Sequence, residues 1–309
     1  MSQLAEKKNF FRKDKTWREK MEALIPGFLL LCGLLSVLTT VGIVFTLIKE
    51  TASFFAEVPF VDFITGTKWT ALFSEDQREF GILPLLIGSL QITLGAAVVA
   101  VPLGIGSAIY LSEYAPERIR QVIKPVLEVL AGIPTIVFGY FGVTFVTPLL
   151  RDVFPDMDFF NALSASIVVG IMILPMIASL SEDAMRSVPR NIREAAYGLG
   201  STRLEVSLKV VLPAALSGIV ASFVLALSRA VGETMAVTII AGSTPNMSFS
   251  YLESIQTMTA FMVQASTGDV SYHSLPYYSI YAVGATLFVI TLTMNLLALY
   301  ISRRYKEEY

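Results

Sequence analysis

The chain has 309 residues, 54% of them hydrophobic and only 16% charged, and its mean hydropathy is +0.65. An ordinary soluble domain carries about 25% charged residues, so the composition argues for a membrane protein. A formal net charge of −2 with no basic tract interleaved with aromatics argues against a nucleic-acid binder. One cysteine (Cys32) and one histidine (His273) exclude a disulfide framework and a zinc site.

A helix needs about 20 apolar residues to cross a bilayer. The first such run is 24–48, after a basic tail. It is too long for a signal peptide and no clear small-residue cleavage site follows, so it is expected to stay as span one. Residues 49–80 form a mildly acidic loop rich in aromatics (Phe54, Phe55, Phe60, Phe63, Trp69). Span two is expected over 81–112 and span three over 129–150, with Glu128 at its opening as a structural or interfacial carboxylate. Span four is 159–181, and span five lies within 210–252, interrupted only by Arg229 and Glu233. A polar segment, 243–269, has no Lys or Arg, and span six is 270–302. The fold class expected is all-α: a polytopic membrane protein with six transmembrane helices. Its tails would be 1–23 and 303–309, with external loops at 49–80 and 243–275 and a long loop at 182–213.

Basic residues orient the spans. The first tail, the loop around Arg118, Arg120 and Lys124, the 182–213 loop and the last tail together hold 18 of the 23 Lys and Arg residues. The alternate loops hold only Lys49, Lys68, Arg78 and Arg151, so both termini are expected on the cytoplasmic side of an inner membrane. Glycines and small residues (Gly95, Gly104, Gly106 and Ser107 in span two, Gly139 and Gly142 in span three) permit close helix approach. Pro102, Pro134 and Pro175 can kink their spans.

The stretch 187–213, SVPRNIREAAYGLGSTRLEVSLKVVLP, is the most informative loop. Pro189 suits a first helical turn, Arg190 to Leu199 can wind a helix, and Gly198 and Gly200 supply the positive φ that ends it. Thr202 and Glu205 have capping-box spacing for a second helix, and Pro213 stands where span five begins. The spacing Glu194-Ala195-Ala196, Gly200, Val210, Leu212-Pro213 resembles the EAA signature of ABC importer permeases, with Val210 where isoleucine is usual. FITGTKW (63–69), FGILPLLIGSL (80–90), VPLGIGSAIYLSEYA (101–115), LEVLAGIPTIVFGYFG (127–142) and SRAVGETMAV (228–237) are similar to the phosphate-specific permeases of that family, more to the PstC type than to the PstA type.

The resemblance implies a MetI-like fold and a coupling helix that docks on a separate ATPase. No G-x-x-x-x-G-K-[ST] phosphate loop occurs in this chain, so ATP and Mg would be bound by that PstB-type ATPase dimer. The other implied partners are a PstA-type permease and an external PstS-type phosphate-binding protein. No catalytic residue, metal site or cofactor is expected in the chain itself.

Arg229 and Glu233 are four apart, which on one continuous helix puts both on the same face of span five. Charges at membrane depth usually face the bundle interior or a wet cavity. Two readings stand: a structural ion pair, or a substrate pathway in which Glu233 restrains Arg229 until phosphate competes for its forked donors. Other classes remain open: a permease for another oxyanion or small solute, or an ion-coupled secondary transporter that leaves the EAA spacing unexplained. A membrane enzyme finds no histidine cluster, nucleophile elbow or paired carboxylates.

Overall fold

The computed structural model describes residues 17–304. The chain divides into two units, one ending at Glu50 and the other starting at Thr51. In the first unit the helix α1 (Trp17–Glu57) begins; its window from Leu24 carries apolar side chains that are exposed along its length, as lipid-facing residues are. Pro26 sits inside the helix.

The second unit is built on two long helices, α3 (Leu83–Ile109) and α7 (Ala162–Ser187). On α3 every fourth residue from Gly88 to Ala108 (Gly88, Ile92, Ala96, Ala100, Gly104, Ala108) is buried, and on α7 the same spacing runs Ala165, Val169, Ile173, Ile177, Ser181, Met185. A four-residue repeat drifts slowly around a helix, so each stripe forms one oblique packing seam. Lipid tails are as apolar as leucine, so association here depends on close van der Waals fit. The seam provides it. A Cβ at Gly104 would come within 2.6 Å of Ile177, and one at Gly170 within 2.9 Å of Val99. Gly106, expected in the same role, faces open space within this chain.

Between these helices lie a π-turn (Tyr110–Tyr114), the helix α4 (Glu117–Ala131) and a third span. That span comprises α5 (Thr135–Phe141), a π-turn (Gly142–Val146) and α6 (Thr147–Val153). The sequence placed its start at 129, with Glu128 at its opening. The structure corrects this: Gly132 caps α4, Pro134 precedes α5, and Glu128 is exposed on the amphipathic α4, outside the span. Glycines of this span meet the short helix α12 (Met235–Ile240), where a Cβ at Gly139 would lie 3.2 Å from the Ala236 Cα.

Span five is bent. Arg203–Ala214 and Leu216–Val231 meet at 71°, just after Pro213. Among the described residues five helices are long and apolar enough to cross a membrane, and this bent pair, taken as one span, makes a sixth, in agreement with the expected count. We label its pieces α9 (Arg203–Val206), a π-turn (Ser207–Val211), α10 (Leu212–Ala214) and α11 (Leu216–Val231). The last span is α14 (Leu275–Arg304).

The two loops expected to be external are packed rather than free. Phe54, Phe63, Trp69, Phe80 and Phe261 form edge-to-face pairs with centroids 4.8–6.4 Å apart. This offset geometry suits the ring quadrupoles. The short helices α2 (Phe60–Thr65) and α13 (Met258–Thr267) contribute Phe63 and Phe261. Residues 241–257 form an irregular strap without helix or strand. Asn161 caps α7 by accepting from the Ser164 N–H, and the strap carbonyls of Glu253 and Tyr251 accept from Ala162 and Leu163. The strap thus satisfies donors that a helix start leaves unpaired. At the other flank the Gln256 carbonyl rests on Gly88.

Because that contact is backbone against helix, Gly88→Ala is expected to destabilise the folded chain by about 1–3 kcal/mol. Gly106→Ala, which meets nothing in this chain, is expected to leave the thermal midpoint in detergent unchanged. Equal midpoints for the two variants would contradict this account of the strap.

Candidate functional site

Two places bear the chemistry expected from the sequence. The first is the 187–213 loop, whose helix α8 (Arg190–Gly198) starts after Pro189. Leu199 and Gly200 end it, and Gly200 has positive φ (+87°) with open space around it, so backbone conformation and not crowding demands glycine there. Gly198, expected to share that role, is helical. Thr202 then closes the expected capping box with Glu205.

Ala196 and the half-buried Ile192 seat α8 on Met185, Val188, Val206 and Val211. Glu194 and Ala195 are exposed, and Leu199 is 88% exposed. Leu212 is half-buried and Pro213 exposed before the bend.

Sequence reading missed what anchors this loop. Arg193 donates to the backbone carbonyls of Val188 and Met185 and to Glu113 Oε1 at 3.2 Å, tying α8 to the ends of α7 and α3. Beside it, Glu182 is fully buried at the end of α7. It accepts from Arg120 Nε at 2.8 Å and Lys124 Nζ at 2.9 Å, both on α4. Lys124 also reaches Asp183 at 2.6 Å, and Arg120 reaches Glu117 at 3.1 Å. Burial works to lower the Lys124 pKa, but its hydrogen bonds to Asp183 and Glu182 outweigh that and hold it above the ordinary lysine value. It therefore stays cationic at neutral pH. Between α8 and these helix ends lies a cavity of about 430 Å³, lined by Glu113, Arg120, Arg186, Arg190, Arg193 and Glu194 among others. Such a carboxylate at the end of an apolar run reads in sequence as a solvated flank; only the placement of α4 shows otherwise.

The second place is the turn at 229–233, where the structure corrects the expected pair. Helix α11 ends at Val231 with Gly232 as its cap, so Arg229 and Glu233 do not share one helix face. Among the described residues Arg229, half-buried, makes no ion pair or hydrogen bond. Glu233 is 7% exposed and its Oε1 accepts from the Ala236 N–H at 3.3 Å, capping α12. A carboxylate suits a helix start, where unpaired N–H groups and the macrodipole favour negative charge. The Glu233 carbonyl accepts from Thr259 Oγ1 at 2.7 Å. Ala230 and Ala236, on either side, belong to the central core, so the turn is set among the packed spans.

Apolar helices, a bent fifth span and a helical loop projecting beyond it are what an importer's membrane subunit requires, and comparison with known proteins decides the family. Residues 100–307 match the binding-protein-dependent transport system inner membrane components. The chain belongs to that family. The permease is 34% identical to the probable ABC transporter permease protein YqgH of Bacillus subtilis, over 89% of both chains. It is 36% identical to the phosphate transport system permease protein PstC of Mesorhizobium japonicum, over 78% of both. At 16% identity, a chain of a bacterial alginate ABC transporter shares the fold with TM-score 0.62, covering 95% of this chain and 99% of that one. A chain of the MetNI methionine ABC transporter matches at TM-score 0.54 and 17% identity, over 74% of this chain and 95% of that one. The MetI-like fold and the relationship to PstC-type permeases, both expected from sequence, are thereby borne out. The permease is an ABC importer's multi-pass inner-membrane subunit, a family that works with an ATPase and a substrate-binding protein.

Arg193→Ala removes three hydrogen bonds that seat the 187–213 loop. With charge-assisted bonds worth about 1.5–3 kcal/mol, amide exchange over residues 188–200 is expected to speed up by roughly ten-fold or more, while the α3 and α7 cores keep their protection. Unchanged exchange in the loop would remove Arg193 as its anchor.

Proposed function

We propose that this permease is the PstC-type half of an ATP-driven importer of inorganic phosphate. In this reading it pairs with a PstA-type permease, and substrate crosses at the interface of the two. A PstS-type binding protein delivers phosphate from outside. A PstB-type ATPase dimer, holding ATP and Mg, docks on the exposed face of α8 around Glu194 and Ala195, with Ala196 behind them in the loop's core. Gly200 sets the angle to the next helix, and the Leu212-Pro213 step leads that helix into the bend. Both termini then lie in the cytoplasm.

The observation that carries the phosphate reading is a half-buried arginine beside the central core with no partner among the described residues, in a protein 36% identical to a PstC. Its guanidinium offers forked donors to a tetrahedral oxyanion. Glu233 takes a different part from the one the sequence implied. It is engaged in capping α12, so it shapes the turn that presents Arg229 and does not mask the arginine. Half-exposure supplies the weakness that turnover needs, because water screens the contact and lets the anion leave.

Vanadate-sensitive phosphate uptake into vesicles holding the full complex tests the reading. Losing a hydrogen bond to charge costs about 1.5–3 kcal/mol, so Arg229→Gln is expected to cut uptake roughly 10- to 100-fold. Uptake matching wild type would remove Arg229 from the pathway, and equal competition by sulfate would move the substrate to another oxyanion. Co-purification of the ATP-binding subunit in mild detergent, weakened by Glu194→Ala or Gly200→Val, tests the docking face.

A further inference from the structure

We propose that Glu182, with Arg120 and Lys124, is a clasp that stays closed through the transport cycle and passes movement of the coupling helix α8 to the Arg229–Glu233 turn. This rests on the reading that α8 docks on an ATPase.

The argument follows contacts in order. Helix α8 grips the last turns of α7 through Arg193, which donates to the Met185 and Val188 carbonyls, and through Ala196 in the same apolar cluster. One turn earlier on α7, Glu182 and Asp183 hold α4 by three ionic hydrogen bonds of 2.6–2.9 Å. The two attachments occupy adjacent turns, so a displacement of α8 that moves the end of α7 also moves α4. Helix α4 has no fully buried side chain of its own, so apolar packing cannot hold it as firmly as the clasp does.

From α4 the path continues through the break at Gly132–Pro134 into α5. There Gly139 and Gly142 bring the backbone against Ala236, Ile239 and Ile240 of α12. The first turn of α12 is capped by Glu233, four residues beyond Arg229. Close packing without side-chain slack transmits displacement, and apart from the Ala196 contact and the chain itself at Gly132–Pro134, each link in this series is a glycine contact or a charge-assisted hydrogen bond.

A buried carboxylate with two cations is costly to assemble and stabilises less than an apolar contact of equal size. What it supplies instead is fixed geometry, because Glu182 accepts from both cations at once. Lys124 bridges Glu182 and Asp183, which restrains rotation of α4 about the contact.

The test measures ATP hydrolysis and phosphate uptake together in proteoliposomes holding the complete transporter. Glu182→Gln and Lys124→Gln are expected to assemble with the ATPase and keep binding-protein-stimulated hydrolysis, while phosphate moved per ATP falls about five-fold or more, the scale of a typical coupling energy. Lys124→Arg, which retains the charge and the reach, is expected to restore the ratio to near wild type. In the double variant the two losses should be well short of additive, as they are for partners in one interaction. An unchanged ratio in assembled Glu182→Gln or Lys124→Gln overturns the clasp. So does failure of both variants to assemble, since the cluster would then serve the fold alone. Joining Lys124→Cys to Asp183→Cys with a bis-thiol reagent that spans the reach of the lysine, in a Cys32→Ser background, should leave transport running; arrest by the crosslink would show that the clasp opens and would overturn the proposal. Wild-type chain that binds no ATPase at all would instead refute the docking of α8, and that result is distinguishable from every one above.

Discussion

The close approach of α3 and α7 is the constraint on which the rest depends. In a bilayer, helices gain nothing by hiding leucine from lipid, so they must gain by fit. The stripes of glycine, alanine and small branched residues at every fourth position give that fit over the whole length of both helices. Once they are held together, their ends define two separate workplaces. At one end Ala108 and Met185 join the cluster that seats the 187–213 loop, and at the other Gly88 receives the strap of residues 241–257.

Polar chemistry is confined to places where a helix stops. A spanning helix satisfies its own backbone, but its ends expose donors and acceptors that need partners. Here the start of α7 takes carbonyls from the strap, α12 takes the Glu233 carboxylate, and the end of α7 meets Arg193. The fifth span ends at Gly232, and the start of α12 that follows has its positive field met by the Glu233 carboxylate, with Arg229 one turn before it.

Much of this was legible in the residues, for reasons specific to each part. The spans could be read because lipid demands about 20 apolar residues in a row, a requirement too long to arise casually. The two-helix loop could be read because Gly200, Thr202 and Glu205 each act within a few residues of their own position, as caps do. Helix α4 escaped because charges and Pro125 interrupt its run. The proline is tolerated since the carbonyl it leaves unpaired, on Gln121, belongs to an exposed turn. The Arg229–Glu233 pair misled because four-residue spacing implies a shared face only when the helix continues, and Gly232 ends it. The strap escaped for a deeper reason: polarity in residues 243–257 signals a loop, but says nothing of which backbone groups elsewhere are short of partners.

Glu182 shows the same boundary from another side. Its sequence neighbours, Ser181 and Asp183, are what any helix end near water carries, and nothing local distinguishes the buried carboxylate from the exposed one beside it. The distinction arises from residues 58 and 62 positions away, which bring two cations onto Glu182 and leave Asp183, paired with Lys124 alone, exposed. Caps and turns are decided within a few residues; a clasp is decided by where another helix lies. The features that locate this permease in its family are mostly of the first kind, and those that would make its two ends move together are of the second.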